Sequence, residues 1–175
     1  MKREVELTIF GLGNALAGDD GVGERVIERL SAMSLPDGVR IEHVAAPGPE
    51  LVVEIEREGE VWFVDAARDA QRPAGSIVRA IAPPDGEPPI DVAGRLVSTH
   101  GFSLAELLRL ASALGRRRAV VRIWAVVGET FEAGASLSRA ASEAVGVVAD
   151  EIAREVRSRG ALESQSSQAP REGAT

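Results

Sequence analysis

The stretch Phe10-Gly11-Leu12-Gly13-Asn14-Ala15-Leu16-Ala17-Gly18-Asp19-Asp20-Gly21-Val22-Gly23-Glu24-Arg25-Val26-Ile27-Glu28-Arg29-Leu30 decides the fold. It opens at the end of the run Val5 to Phe10, whose β-branched content reads as a strand. It closes on Val22, Val26, Ile27 and Leu30, a spacing that lines one face of a helix. A strand, a glycine loop and a helix in that order usually bind phosphate, but these residues argue otherwise. Counted from Gly11, the dinucleotide pattern meets Gly13 and then Leu16 where its third glycine belongs. The lysine of a P-loop is missing, because Gly18 is followed by Asp19 and Asp20. Free amides at a helix start attract anions, and two aspartates already occupy that position and repel a phosphate. The loop is built to present carboxylate. One aspartate suffices as an N-cap, which leaves Asp20 to face a ligand; the alternative is that both only serve the helix.

Downstream, strands and helices alternate. Val39 to Val44 is a short strand, and Pro49 to about Glu58 a helix with Leu51, Val52 and Ile55 inward. Val61-Trp62-Phe63-Val64 is a continuous apolar run, as in a central strand buried on both faces, and it stops at Asp65. Gly75 to Ile81 reads as a strand, and Pro83 to Pro89 as a polar loop. Ser103 followed three residues later by Glu106 is a capping box opening a helix with Leu104, Leu107, Leu108, Ala111 and Leu114 on one face. Arg116-Arg117-Arg118 reads as a solvated turn before the last strand, Ala119 to Val127. Ser138 opens a final helix with Val145, Val148, Ile152 and Val156 inward. The pattern specifies a three-layer α/β/α sandwich with a largely parallel, mixed sheet of about five strands. The domain spans residues 1–159. Residues 160–175 are poor in large apolar side chains and read as a disordered tail.

Composition narrows the function. The net charge is −7 and the pI about 5.0, which opposes a nucleic-acid surface. There is no cysteine, so disulfides, thiolate nucleophiles and thiolate metal sites are excluded. Glu4 and Glu6 interrupt the first apolar run and no signal segment forms, so a cytoplasmic location is expected.

Parallel sheets hold ligands beyond the carboxyl ends of their strands. Asp20 follows the first strand, Asp65 ends the central one, and His100 precedes a helix. Together they make a two-carboxylate, one-imidazole set suited to a borderline divalent ion such as nickel or zinc, with positions left open for a substrate. Each also has a plain structural alternative, as a strand-end group bonding nearby backbone or a helix cap. His43 within a strand reads as structural, Asp69 as a turn residue, and Glu50 as an acid favoured by a helix start.

Ile9-Phe10-Gly11-Leu12-Gly13-Asn14, Asp19-Asp20-Gly21-Val22-Gly23, Val64-Asp65-Ala66, Ser98-Thr99-His100 and Gly134-Ala135-Ser136-Leu137-Ser138 resemble the motifs of the hydrogenase maturation protease family. The resemblance spans about residues 5 to 155. It implies the same sandwich fold, and an endopeptidase that removes the C-terminal extension of a nickel–iron hydrogenase large-subunit precursor after nickel insertion. By motif match it implies Asp20, Asp65 and His100 as metal-contacting and catalytic residues, reading nickel carried by the substrate. The segment from Val127 to Glu132 lacks a proline common in that family, and Pro47-Gly48-Pro49-Glu50 is unusual in its two prolines. The alternative is a non-proteolytic module that uses the same rim to check metal insertion.

Overall fold

The computed structural model describes residues 7–84 and 103–166. Five strands form one sheet: β1 Leu7–Leu12, β2 Val39–Val44, β3 Glu60–Ala67, β4 Ile77–Ala82 and β5 Val120–Val127. Their spatial order is β2-β1-β3-β5-β4. The helices are α1 Val22–Ser31, α2 Val52–Ile55, α3 Leu104–Ala113 and α4 Arg139–Ser166. Single 3-10 turns precede α1, at Gly18–Gly21, and α2, at Pro49–Leu51.

Alternation along the strands divides the core into two. Ile9, Trp62, Val64 and Trp124 face α1 and α4, where they meet Val26, Leu30, Val148 and Ile152. Phe10, Phe63, Val121 and Ile123 face α2 and α3, where they meet Leu51, Ile55, Leu107 and Leu108. The expected three-layer sandwich is therefore the observed one. β1, β2, β3 and β5 run parallel, while β4 pairs antiparallel with β5. Length explains β4. The chain between Ala67 and Ile77 is too short for a crossover, so it must turn back at the same edge of the sheet.

The glycines that resembled a phosphate loop serve packing. A Cβ on Gly23 would lie 2.1 Å from the Leu12 carbonyl oxygen, and one on Gly11 would lie 2.2 Å from the Gly23 carbonyl oxygen. These two residues let α1 press directly onto β1, and β1 extends through Gly11 and Leu12, two residues beyond Phe10.

Three other elements differ from the sequence reading. α2 is a single turn that ends at Ile55, short of Glu58, although Leu51, Val52 and Ile55 are buried as expected. Arg117 is fully buried and not part of a solvated turn, because the Arg118 and Ala119 amides both donate to the Ile55 carbonyl and fold the segment under α2. α4 continues past Gly160 to Ser166, since Ala161 to Ser166 contains no glycine or proline to stop it. Residues 167–175 lie outside the described residues. Among the described residues, no helix is long and apolar enough to cross a membrane.

Candidate functional site

The strand order reverses between β1 and β3. β1 leads through α1 to β2 on one side, and β2 returns through α2 to β3 on the other. Such a switch point opens a crevice beyond the carboxyl ends of the two central strands. The loop after β1 and the last residues of β3 meet there.

Asp20 sits in the 3-10 turn before α1 and is 2% exposed. The Asn14 amide donates to its Oδ2 at 2.7 Å. Gly13 permits this fold-over. Its φ is +114°, and a Cβ there would lie 1.9 Å from the Asp20 carbonyl oxygen. Asp65 lies inside β3 and not beyond it, because the strand runs on to Ala67. It shares the face of Phe63 and Ala67, the face covered by α2 and α3. Its Oδ1 accepts the Ala66 amide at 2.8 Å. Burial first, and the neighbouring Asp20 carboxylate second, push the Asp65 carboxyl up to about 7 against the opposing bond from the Ala66 amide. Two residues 45 positions apart in sequence are thus brought together in one electrostatic site.

His100 lies outside the described residues. Its sequence neighbour Ser103 caps α3 as expected, accepting the Glu106 amide while Glu106 accepts the Ser103 amide. α3 ends beside the start of β5, so its first turn lies toward the carboxyl edge, on the face to which Asp65 belongs. Among the described residues no group of three histidine or acidic side chains gathers closely enough to hold an ion.

Asp19 is not an N-cap. No side chain caps either the 3-10 turn or α1. Asp19 is fully buried and turned toward the β5–α4 loop. Its Oδ2 accepts the amides of Glu129, at 2.8 Å, and Thr130, at 3.2 Å, and its Oδ1 accepts that of Ser138, at 2.6 Å. The Asp19 amide donates to the Thr130 carbonyl at 2.8 Å, and the Gly18 amide to the Ala135 carbonyl at 3.1 Å. Asp19 joins the first loop to the last. Sequence reading missed this because the donors are main-chain groups more than a hundred positions away.

His43, read as structural, stands at the end of β2 with its Nε2 2.7 Å from the Gly13 carbonyl oxygen. Nε2 carries the proton there, since a carbonyl can only accept. Asp69 is the turn residue expected, accepting the Gln71 amide at 2.8 Å and pairing with Arg72 at 2.7 Å. Arg68, which sequence reading passed over, places its guanidinium 4.0 Å from the Phe131 ring centre. Its position three residues after Asp65 was the available signal.

A buried, coupled pair of carboxylates at the mouth of a parallel sheet can bind a divalent cation, whose charge would relieve their repulsion. An acid with a pKa near 7 can also take up or release a proton at neutral pH. The fold and the rim together define the class of protein: a three-layer α/β domain with two buried carboxylates beside each other at its switch point.

Comparison with known proteins finds likenesses among proteins of hydrogenase maturation. No family model matches the chain. It is 30% identical over 116 residues to the hydrogenase expression/formation protein HupD of Thiocapsa roseopersicina, covering 66% of this chain and 51% of that protein. The chain thus spans about half the length of this curated relative. Its fold matches the hydrogenase maturating endopeptidase HybD of E. coli, with a TM-score of 0.71 and 21% identity over 88% of this chain and 93% of that one. A hydrogenase 2 maturation peptidase from a Thaumarchaeota archaeon is 27% identical, with a TM-score of 0.62 over 83% of this chain and 94% of its own. The family resemblance drawn from the sequence motifs is met in both kinds of comparison.

Proposed function

We propose that this chain is an endopeptidase that removes the C-terminal extension of a nickel–iron hydrogenase large-subunit precursor after nickel has been inserted. The observation that carries the reading is the convergence of Asp20 and Asp65 at the switch point of a fold shared with maturation endopeptidases.

Asp20, Asp65 and His100 would contact nickel that the substrate carries, and the chain would hold no tightly bound metal of its own. Nickel in the substrate would supply Lewis acidity near the scissile bond. Asp20 is oriented by the bond it accepts from the Asn14 amide. The Asp65 carboxyl, buried beside it, exchanges a proton near neutral pH, so it can serve the attacking water or yield its proton as a cation arrives. With only carboxylate and imidazole groups, the set binds nickel weakly enough to leave it with the substrate. The expected location is the cytoplasm.

The test is mass spectrometry of a nickel-loaded precursor incubated with this protein. Loss of a C-terminal fragment is expected, and the nickel-free precursor should stay intact. Asp20→Asn, Asp65→Asn and His100→Ala should each lower cleavage about 100-fold or more with the fold preserved by circular dichroism. Undiminished cleavage by His100→Ala would remove that residue from the set. Tight binding of loaded precursor without any cleavage would replace the peptidase with the checkpoint module.

A further inference from the structure

Arg68 is an exposed cation at the rim with no carboxylate within ion-pair distance among the described residues. Most other arginines described on this acidic chain are paired: Arg40 with Glu54, Arg79 with Glu151, Arg116 with Glu56, Arg122 and Arg159 with Glu60. Its neighbour Asp69 does not neutralise it, being committed to Arg72 and to the Gln71 amide. The guanidinium face instead lies on Phe131, 4.0 Å from the ring centre. Such stacking holds the plane of the group while leaving its N–H edge to donate elsewhere.

The ring beneath it is also fixed. Phe131 packs against the core on the α1 and α4 side. A Cβ on Gly128 would lie 2.6 Å from Phe131 Cζ and 2.7 Å from Asp19 Cβ, so a glycine is needed to bring loop, ring and Asp19 together. Asp19 secures the same loop through the Glu129 and Thr130 amides. A fork of donors is thus held in place at the end of the strand that carries Asp65, on a rim otherwise dominated by negative charge.

We propose that Arg68, seated on Phe131, is a specificity-determining residue that receives a carboxylate of the substrate's C-terminal extension. The proposal rests on the peptidase reading above. An acidic peptide approaching Asp20 and Asp65 meets repulsion, and Arg68 compensates it by a charge-assisted, bidentate bond. The carboxylate has two sources in such a substrate, an Asp or Glu side chain and the terminal α-carboxylate.

The experiment measures cleavage of nickel-loaded precursor at varied concentration. If the wild-type protein cleaves nothing, the peptidase reading has failed and this proposal falls with it. If the wild type cleaves, Arg68→Ala should raise KM about tenfold with kcat little changed. Arg68→Lys should recover only part, because it keeps the charge and loses the planar fork. Phe131→Leu should act in the same direction as Arg68→Ala. Arg68→Glu should be worst, and a precursor with Lys in place of the recognised acidic residue should restore its cleavage. Replacing each Asp or Glu of the extension by its amide identifies a side-chain source. A short Gly-Ser addition that displaces the terminal carboxylate identifies the other source. An unchanged KM for Arg68→Ala, or a loss in kcat alone, overturns the proposal.

Discussion

Asp19 Oδ1 accepts the Ser138 amide at 2.6 Å, joining residues 119 positions apart. With the Glu129 and Thr130 amides on Oδ2, a single buried carboxylate answers three main-chain donors. Both oxygens are needed as acceptors. Asp19→Asn turns one of them into a donor that faces other donors, whereas Asp20→Asn leaves this joint untouched. The Asp19→Asn variant should therefore lose about 3–5 kcal/mol, since bonds to charged groups contribute about 1.5–3 kcal/mol each and an orphaned buried amide adds its own cost. Thermal unfolding should show a fall of roughly 10 °C or more. A midpoint within about 2 °C of wild type would refute the joint.

Asp65 gives stability a pH dependence of defined sign. Its carboxyl lies at about 7 in the folded protein against an ordinary 3.8. Between those values the native state holds a proton that the unfolded chain has released. Its contribution is complete below about pH 4 and is lost as pH rises through 7. Asp65→Asn removes that loss. At pH 8 it should exceed wild type by a few kcal/mol, at about 1.4 kcal/mol per pKa unit, and the gap should shrink toward pH 5. Urea unfolding at both pH values checks it, and a gap independent of pH refutes it.

The contact between α1 and β1 depends on a missing side chain. Gly23→Ala would set a methyl group 2.1 Å from the Leu12 carbonyl oxygen, where backbone has to move. Loss of about 3 kcal/mol or insoluble expression is expected, since overpacking against fixed backbone lies at the costly end of its range. Gly146→Ala is the control. Its nearest neighbours are atoms of the flexible Arg29 guanidinium at 3.8 Å, so it should be neutral or slightly stabilising. Comparable losses from both variants would contradict the close approach.

His43 tests the difference between presence on the rim and participation in it. Its bond to the Gly13 carbonyl supports the turn that shapes the Asp20 loop. His43→Ala should cost about 1 kcal/mol in stability. Precursor cleavage below the melting range should remain within about threefold of wild type. A loss as deep as that of Asp65→Asn would move His43 into the chemistry.

Sequence reading succeeded where short-range chemistry decides. The capping box at Ser103 and Glu106, the buried run Val61 to Val64 and the helical stripe Val148, Ile152 and Val156 all appear as expected. The carboxylate loop was legible because its aspartates exclude phosphate. What escaped were relations between distant main-chain groups. Asp19 seemed a cap because local capping is the usual use of an aspartate there. The burial of Arg117 follows from the Ile55 carbonyl, which belongs to another helix. The reversal of β4 followed from loop length, not from its own residues.

The Asp19 joint also sets an order of events. A chain emerging from the ribosome exposes β1 and the carboxylate loop first, but the partners of Asp19 are the amides of Glu129, Thr130 and Ser138. Until the chain has been made as far as Glu129, Asp19 has none of those donors; until Ser138 it lacks the third, and α1 still lacks the apolar face of α4. Long-range closures of this kind form late, because the entropy of the intervening loop must be overcome first. The rim is therefore finished last, so an unfinished chain has no settled loop on which to hold Asp20 against Asp65.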